Sequence, residues 1–386
     1  MAARPICRMC LTSLAAVLLF LSSSSLPAAA ADDSRPTQPN FVFILGEGQG
    51  WTSTSVQMDD AVPNSKSSFL RTSNFERLAR EGLRLATLYA PSPRCTPSRA
   101  TFFTGKSPAQ LHMTFVSEGK GDSGGGANSR VIPPSSSVEL PLGETTIAEL
   151  LKGVGYATAH FGKWHVGRTD PAEHGFDESD GATKNGGPED VAHPHPKQLY
   201  GMTERSMDFM TRQVQAGKPF YLQMSHYASR HVEDALPETV ATVRSWAGDA
   251  DERRLGEAAA ALDLDISLGM ILKKLDELGI ANDTVVMYST DNGPHFNTWP
   301  DAGNTPFRSE KNSNWEGAYR VPAFVRWPGK FPAGVTLNGI ASHEDWLPTF
   351  AAIAGDTDVK ERLLKGATIN GRSYRAHLDG YNQLDY

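Results

Sequence analysis

The sequence has little cysteine, no excess of basic charge and no internal repeat. Only 3 of its 386 residues are cysteine, and 37 basic residues face 44 acidic ones. That charge balance disfavours a dedicated nucleic-acid binder, which would carry a basic patch or stripe. Hydrophobic residues at 39% and charged residues at 21% are typical of a globular chain with a sizeable core. The length allows one large domain or two ordinary ones.

Long apolar runs are also missing, and the one short run near the N-terminus has the order of a secretory signal peptide. Arg4 and Arg8 precede an apolar stretch over 11–21, and the alanines of 28–31 offer a small-residue cleavage site. The stretch is shorter than the roughly 20 residues of a membrane span. We therefore expect a cleaved signal peptide over 1–31, no membrane span after cleavage, and a periplasmic or secreted product.

Cleavage would leave one folded domain over 32–386 with a single cysteine. Cys7 and Cys10 would be removed, so Cys95 would stand alone in a compartment where thiols usually pair. A leftover cysteine in an exported protein indicates a reactive group or an intermolecular bridge. An inert buried thiol is the alternative.

The pattern of apolar segments predicts an α/β fold. Runs rich in β-branched and aromatic residues predict buried strands of a parallel sheet at 41–45, 156–160, 220–225, 284–290 and 322–327. Helical spacing, caps and glycine stops predict helices at 75–81, 146–152, 257–278 and near 346–354. Gly-, Ser- and Pro-rich composition predicts loops at 117–137 and 181–196. Alternating strands and helices favour a mainly parallel central sheet sandwiched by helices.

Polar side chains follow the ends of the predicted strands. In folds of this kind the ligand site lies beyond the carboxyl ends of the strands. The residues that come directly after strands are Glu47, Lys163, His165, His226, His231, Asp291 and Asn292. We therefore expect charged and imidazole groups from distant segments to meet at one edge of the sheet.

The segment that begins at Cys95 is the most specific signal. Pro97 suits the first turn of a helix, and Gly105 with Pro108 limits that helix to a few turns. Cys95 would then lie at the positive N-terminal end, which favours a bound anion. Arg99, about one turn further on, can bind the same anion through two N–H groups.

Four motifs in this chain are specific when they are taken together. The run CTPSRATFFTG over 95–105 resembles the signature C-x-P-S-R followed by T-G of the sulfatase family, within the alkaline phosphatase superfamily, in which the cysteine is oxidised to formylglycine. YATAHFGKWHVG over 156–167 resembles the second sulfatase signature, and DNG over 291–293 matches the metal-binding motif. Lys311 followed by EGAYRVP over 316–322 resembles the K…EGGxRVP stretch. The motifs occur in family order.

The resemblance implies a sulfuric ester hydrolase of the arylsulfatase type. A formylglycine-generating enzyme would modify Cys95 during maturation, and the hydrated aldehyde would attack sulfur and later expel sulfate. One Ca²⁺ ion would be held by Glu47, Asp291, Asn292 and the modified Cys95. Asp and Asn oxygens are the hard ligands that such an ion prefers. The substrate would be a sulfated small molecule or carbohydrate.

The resemblance also assigns roles to the remaining motif residues. Lys163 and Lys311 would neutralise the sulfate charge, a preorganised electrostatic contribution that often dominates catalysis. His165 and Arg99 would hold the diol. His231, with help from Lys311, would be the general acid for the leaving oxygen.

One departure from the family pattern lies at the end of the first strand. The family has two adjacent aspartates there, whereas this chain has Glu47 and Gly48. Glu47 can replace the first aspartate, but Gly48 has no side chain to replace the second. Gln49 is a weak candidate ligand one position further along. We therefore expect a cation site with altered geometry or weaker binding.

A second departure concerns the histidine after the third strand. His231 lies three residues after Ala228, whereas the family histidine lies two residues after its alanine. Either a local bulge restores His231, or His226 or Arg230 takes its place. We expect His226, on the strand itself, to be a core histidine.

The C-terminal part of the chain is short for this family, and two other functions remain open. About 60 residues follow Trp327, so the family's C-terminal subdomain is expected to be missing or incomplete. One rival is a phosphodiesterase or phosphonate monoester hydrolase that uses the same formylglycine. The other is a non-catalytic relative that binds sulfated glycans.

Overall fold

The protein is described by a computed structural model that covers residues 38–116, 130, 136–186, 197–295 and 298–386. The signal peptide predicted over 1–31 lies outside the described residues. Most of the loop predicted over 117–137 and the second part of the loop predicted over 181–196 lie outside them too. Within the described ranges, no helix combines the length and the apolarity that crossing a membrane would require.

Thirteen strands are described in the chain. In chain order they are β1 (Asn40–Gly46), β2 (Leu83–Leu85), β3 (Leu88–Tyr89), β4 (Ala157–Gly162), β5 (Glu178–Ser179), β6 (Phe220–Ser225), β7 (Thr284–Thr290), β8 (Arg320–Val321), β9 (Phe324–Arg326), β10 (Val335–Leu337), β11 (Ala341–Ser342), β12 (Ala367–Ile369) and β13 (Arg372–Tyr374). Eight of them form the central sheet in the order β10-β2-β9-β7-β1-β6-β4-β5. A small sheet β11-β3-β8 and the hairpin β12-β13 hold the others.

The helices agree in part with the sequence predictions. In chain order they are α1 (Ser73–Glu81), α2 (Cys95–Thr104), α3 (Ile147–Gly153), α4 (Leu199–Gln215), α5 (Pro237–Arg244), α6 (Glu252–Glu277), α7 (Glu316–Tyr319), α8 (Trp346–Ile353) and α9 (Val359–Lys365). Helices α1, α2, α3, α6 and α8 lie where the sequence predicts helices, although their bounds differ, whereas α4, α5, α7 and α9 were not predicted. Helix α6 begins five residues earlier than predicted, because Asp251 accepts a hydrogen bond from the backbone N–H of Arg254 and caps its first turn.

Strand β9 corrects one prediction. The apolar run over 322–327 was expected to be a parallel strand, but β9 pairs antiparallel with both β7 and β2. The remaining pairings within the central sheet are parallel. An apolar run reports that a strand is buried on both faces, and it contains no information about strand direction.

Two hydrophobic cores lie on the two faces of the sheet. Along β1, Phe41, Phe43 and Leu45 point into one core, which α2, α3 and α8 cover. Val42 and Ile44 point into the other core, which α1, α4 and α6 cover. Because alternate residues of a strand face opposite sides, a strand apolar at every position needs helices on both sides. This arrangement confirms the predicted α/β class with a mainly parallel central sheet sandwiched by helices.

The strand register brings the predicted site segments to one edge of the sheet. Gly46 at the end of β1 is paired with Thr290 at the end of β7. Gly162 at the end of β4 is paired with Ser225 at the end of β6. The residues that follow these four strands therefore leave the sheet side by side, as the sequence predicts.

The last part of the chain contains more regular structure than the single helix predicted near 346–354. Helix α9 and the antiparallel hairpin β12-β13 follow α8. The hairpin is attached to α3, because Asn370 Nδ2 donates to the Glu149 carbonyl at 2.9 Å and the Tyr374 hydroxyl donates to the Glu149 carboxylate. These contacts join the segment to the main core.

Candidate active site

Cys95 is the first residue of α2 and is buried at the edge where the strands end. Its thiol donates to Glu47 Oε1 at 3.2 Å and accepts from Lys311 Nζ at 3.0 Å. Burial raises the pKa of the Cys95 thiol above its ordinary value, and the nearby carboxylates act in the same direction. The unmodified side chain is therefore a neutral thiol at neutral pH, not the thiolate that serves as a nucleophile.

Glu47 follows β1 and lies among three cationic side chains. Its Oε1 atom accepts from Lys311 Nζ at 2.7 Å and lies 3.6 Å from Lys163 Nζ. Its Oε2 atom accepts from Arg230 Nη2 at 2.8 Å. Burial would raise the pKa of Glu47, but the three cations hold it well below the ordinary value. Glu47 is therefore a carboxylate whose charge is fully compensated.

Asp291 follows β7 and is compensated in the same way. Its Oδ2 atom accepts from Arg99 Nε at 3.1 Å, and both side chains are completely buried. Its Oδ1 atom accepts from the Gly48 N–H at 3.1 Å and from Asn292 Nδ2 at 2.7 Å. Arg99 in turn donates from Nη1 to the Lys163 carbonyl at 2.6 Å, which ties α2 to the end of β4.

Two cationic groups in this cluster have buried N–H donors without an acceptor among the described residues. They are Lys163 Nζ and Arg99 Nη2. A buried donor that lacks an acceptor costs about 1–3 kcal/mol, and more when the group is charged. An anion bound between these groups would remove that cost. The arrangement is therefore suited to receive an oxyanion.

His165 is buried beside this cluster and is neutral. Burial, together with the charges of Lys163 and Arg99, lowers the pKa of His165 far below its ordinary value. Its backbone carbonyl accepts from the Thr96 hydroxyl at 2.8 Å, and its φ of 59° is in the left-handed region. The imidazole can thus orient a neighbouring hydroxyl without adding charge.

The structure does not bring His231 into this cluster. Its side chain is exposed and begins the 3₁₀ turn over 232–234, whereas the preceding Arg230 reaches Glu47. Both backbone N–H groups are held by Asp234 Oδ2, at 3.1 Å for Arg230 and 3.2 Å for His231. Of the alternatives left open by the sequence, Arg230 is the one that faces the site. His226 is buried, as expected of a core histidine.

Gln49 does not provide a ligand atom to the cluster. Its side-chain oxygen instead accepts a hydrogen bond from the Tyr288 hydroxyl. The weak expectation that Gln49 replaces the missing aspartate therefore has no geometric support.

Sequence reasoning missed Glu257. This residue lies in the alanine-rich first half of α6, where it is buried beside Arg230. Burial raises the pKa of Glu257 to about 8, and the charge of Arg230 offsets part of that rise. It lines a small cavity of about 30 Å³ together with Glu47, Gly48 and His226. An acidic residue inside an otherwise apolar helical segment was the available signal.

The donor atoms around Cys95 show whether these residues fit a metal ion. Glu47, Cys95 and Asp291 place one potential ligand atom each within 4.8 Å of one another, so by distance they could hold an ion. However, all four oxygens of the two carboxylates already accept hydrogen bonds from protein donors. Calcium takes roughly six to eight oxygen ligands. The arrangement of these residues therefore does not fit a calcium ion.

Comparison with a family model identifies the class of enzyme. The Sulfatase model matches residues 39–356. The chain belongs to the sulfatase family, and sulfate ester hydrolysis is the activity that the family and its relatives support. The enzyme class inferred from the motifs is thereby confirmed.

Two mammalian enzymes illustrate the relationship. N-acetylgalactosamine-6-sulfatase of Canis lupus familiaris is 29% identical over 387 aligned residues, which cover 92% of this chain and 68% of the relative. Steryl-sulfatase of Mus musculus is 30% identical and covers 93% of this chain and 68% of the relative. One name refers to a sugar sulfate and the other to a sterol sulfate, so they do not point to one substrate class.

Solved structures agree with the fold. The PsFucS1 sulfatase from Pseudoalteromonas sp. is 26% identical with a TM-score of 0.66, covering 83% of this chain and 68% of that one. Ps i-CgsB, solved in complex with k-i-k-neocarrahexaose, has a TM-score of 0.70 at 24% identity. The match covers 90% of this chain and 76% of that one. The phosphonate monoester hydrolase of Agrobacterium radiobacter has a TM-score of 0.58 at 16% identity, and the match covers 90% of this chain and 76% of that one. At this identity the likeness shows a shared fold alone.

Proposed function

We propose that this protein hydrolyses sulfate monoesters with a nucleophile made from Cys95 as formylglycine. The observation that carries the proposal is the completely buried Lys163 ammonium, which has no hydrogen-bond acceptor among the described residues. Lys311 and Arg230 lie with it around Glu47. A cluster of cations directed at one buried cysteine suits a substrate that presents a sulfate group to that position.

The chain's own residues divide the work of the reaction. When formed and hydrated, formylglycine would supply the oxygen that attacks sulfur. Lys311, 3.0 Å from Cys95 Sγ, would compensate the charge on the sulfate oxygens. Lys163 would bind a second sulfate oxygen with its open N–H groups. Arg99 would fix the Lys163 backbone and Asp291 in place.

Two further roles concern protons and the cation. We propose that Lys311 donates the proton to the leaving oxygen, because it is a cationic donor in contact with Cys95. The general-acid role of His231 stays a prediction from the resemblance. The calcium ion expected from the resemblance, with Glu47, Asp291 and Asn292 as its ligands, has no part in the roles proposed above, because the arrangement of these residues does not fit it.

The resemblance and the relatives also support a proposal for the substrate and the cellular location. We propose a sulfated carbohydrate or a small sulfated molecule, the classes to which the sulfatase relatives' names refer. We also propose a periplasmic or secreted enzyme that meets a formylglycine-generating enzyme during export.

Mass spectrometry of a peptide that contains Cys95 tests the proposal. The protein would be produced with and without a formylglycine-generating activity. We expect the aldehyde mass only in the first preparation, together with turnover of an aryl sulfate. A Cys95→Ala protein from the same host is the matched control and should be inactive. Unmodified thiol under maturing conditions would refute the nucleophile.

The second candidate, a phosphodiesterase or phosphonate monoester hydrolase that uses the same formylglycine, stays a prediction from the resemblance. The ratio of kcat/KM on an aryl sulfate to that on the matching aryl phosphonate separates the two. A ratio above one supports the sulfatase, and a ratio well below one supports the second candidate.

A further inference from the structure

Arg230 lies beside Gly48, the position at which the family pattern has its second aspartate. A Cβ atom added at Gly48 would lie 2.9 Å from Arg230 Nη2, so a side chain at position 48 would collide with the guanidinium. The φ of Gly48 is +61°, a conformation that side chains other than glycine adopt rarely. The absence of a side chain at Gly48 therefore leaves the space that the Arg230 guanidinium occupies.

Arg230 is held by one hydrogen bond from its guanidinium and one from its backbone. Arg230 Nη2 donates to Glu47 Oε2 at 2.8 Å, and the backbone N–H of Arg230 donates to Asp234 Oδ2 at 3.1 Å. Burial would lower the pKa of Arg230, but Glu47 and Glu257 raise it above the ordinary value. Only 16% of the side chain is exposed. Arg230 is a fixed charge of the site.

The side chains around Cys95 carry a net positive charge, so they do not need a metal ion to balance their carboxylates. Four cationic side chains face the two carboxylates, which gives an excess of two positive charges. The cations are Arg99, Lys163, Arg230 and Lys311, and the carboxylates are Glu47 and Asp291. Adding a divalent cation would increase an uncompensated charge in a buried site. An oxyanion would instead compensate it.

We propose that Arg230 takes the electrostatic place of the divalent cation, so that the site binds its sulfate group through Arg230, Lys163 and Lys311 without a metal. The inference rests on the proposed function for the identity of the anion.

Calorimetric titration of the metal-stripped full chain with inorganic sulfate and, separately, with calcium chloride tests the inference. We expect sulfate to bind equally well in EDTA and in calcium, and we expect no calcium isotherm below millimolar concentration. Calcium binding below millimolar concentration, or loss of sulfate binding in EDTA, would overturn the inference.

Two variants of Arg230 identify the residue responsible. Arg230→Gln should weaken sulfate binding about tenfold or more, which corresponds to about 1.4 kcal/mol. Arg230→Lys, which keeps the charge, should recover part of that loss. Arg244→Gln, at an exposed arginine, is the matched control and should bind as the wild type does. Equal affinities in Arg230→Gln and the wild type would contradict the assignment.

The outcome is distinguishable from a failure of the proposed function. Sulfate affinity is measured at equilibrium and does not depend on formylglycine. If Cys95 is never modified while sulfate binds without metal, the proposed function fails and the inference holds. If the matured enzyme turns over an aryl sulfate only with calcium, the inference fails and the proposed function holds.

Discussion

Lys311 is the residue whose charged end comes closest to Cys95. Its Nζ atom donates to Cys95 Sγ at 3.0 Å and to Glu47 at 2.7 Å, and only 9% of its side chain is exposed. Burial acts against the charge, but Glu47 raises the pKa of Lys311 above its ordinary value. Lys311 is therefore an ammonium group at neutral pH before the reaction begins. A fixed positive charge beside the reacting atom is worth most in a buried site.

Replacing Lys311 by methionine should abolish most of the turnover without unfolding the chain. The loss of one preorganised donor typically reduces kcat about 10²–10³-fold. Steady-state kinetics on an aryl sulfate measures the effect. Lys273→Met removes an ammonium group that is 77% exposed on α6 and is the matched control. A Lys311→Met enzyme as active as that control would exclude the assigned role.

At the scale of elements, the short helix α3 shows how the sequence fixes local structure. The Thr146 hydroxyl accepts from the Glu149 N–H at 3.1 Å, and the Glu149 carboxylate accepts from the Thr146 N–H at 2.9 Å. This capping box satisfies two N–H groups that have no partner within the helix. The Thr146 hydroxyl also donates to the His174 carbonyl at 2.6 Å, so the cap is connected to the 3₁₀ turn Pro171–His174.

Removing the cap should destabilise the protein measurably. We expect Thr146→Ala to lower the free energy of unfolding by about 1–2 kcal/mol, because an N-cap and a buried hydrogen bond are both lost. Urea denaturation followed by tryptophan fluorescence gives the value. Thr146→Ser keeps the hydroxyl and should stay within about 0.5 kcal/mol of the wild type. Equal losses in both variants would show that the methyl packing, and not the cap, is responsible.

The elements also show where sequence patterns are sufficient. Strands β1, β6 and β7 were predicted to within one residue at either end, because buried apolar runs with polar residues directly after them are a strong local signal. The direction of β9 and the presence of α9 and the β12-β13 hairpin were not predicted. These elements are short, so their amphipathic patterns are weak. Contacts with distant segments of the chain determine whether they form and in which direction β9 runs.

At the scale of the whole molecule, several histidines are buried as neutral groups. Burial lowers the pKa of His160 and His343 to about 3 and that of His174 and His226 to about 4. In the unfolded chain a histidine has a pKa of about 6.5. Between these values the unfolded state binds more protons than the folded state, so stability falls as the pH is lowered.

We therefore expect the free energy of unfolding to decrease as the pH falls from about 6.5 toward 4. Each histidine contributes at most about 1.4 kcal/mol per pH unit. Denaturation curves at several pH values measure the slope. His343→Gln should make the slope shallower, whereas His377→Gln, at a side chain 65% exposed, should leave it unchanged. Parallel slopes for all three proteins would contradict the expectation.

The sequence by itself determined the α/β class, the edge at which the site forms, and the residue types that surround Cys95. It could do so because the periodicity of buried strands and the motif spacings are local properties of the chain. Only the tertiary structure decided that Arg230, and not His231, reaches Glu47, and that Glu257 is buried behind it. Adjacent residues in a loop point in different directions, and which of them faces the site depends on a turn held by Asp234. The charge balance of the site depends on that turn, so no motif could have given it.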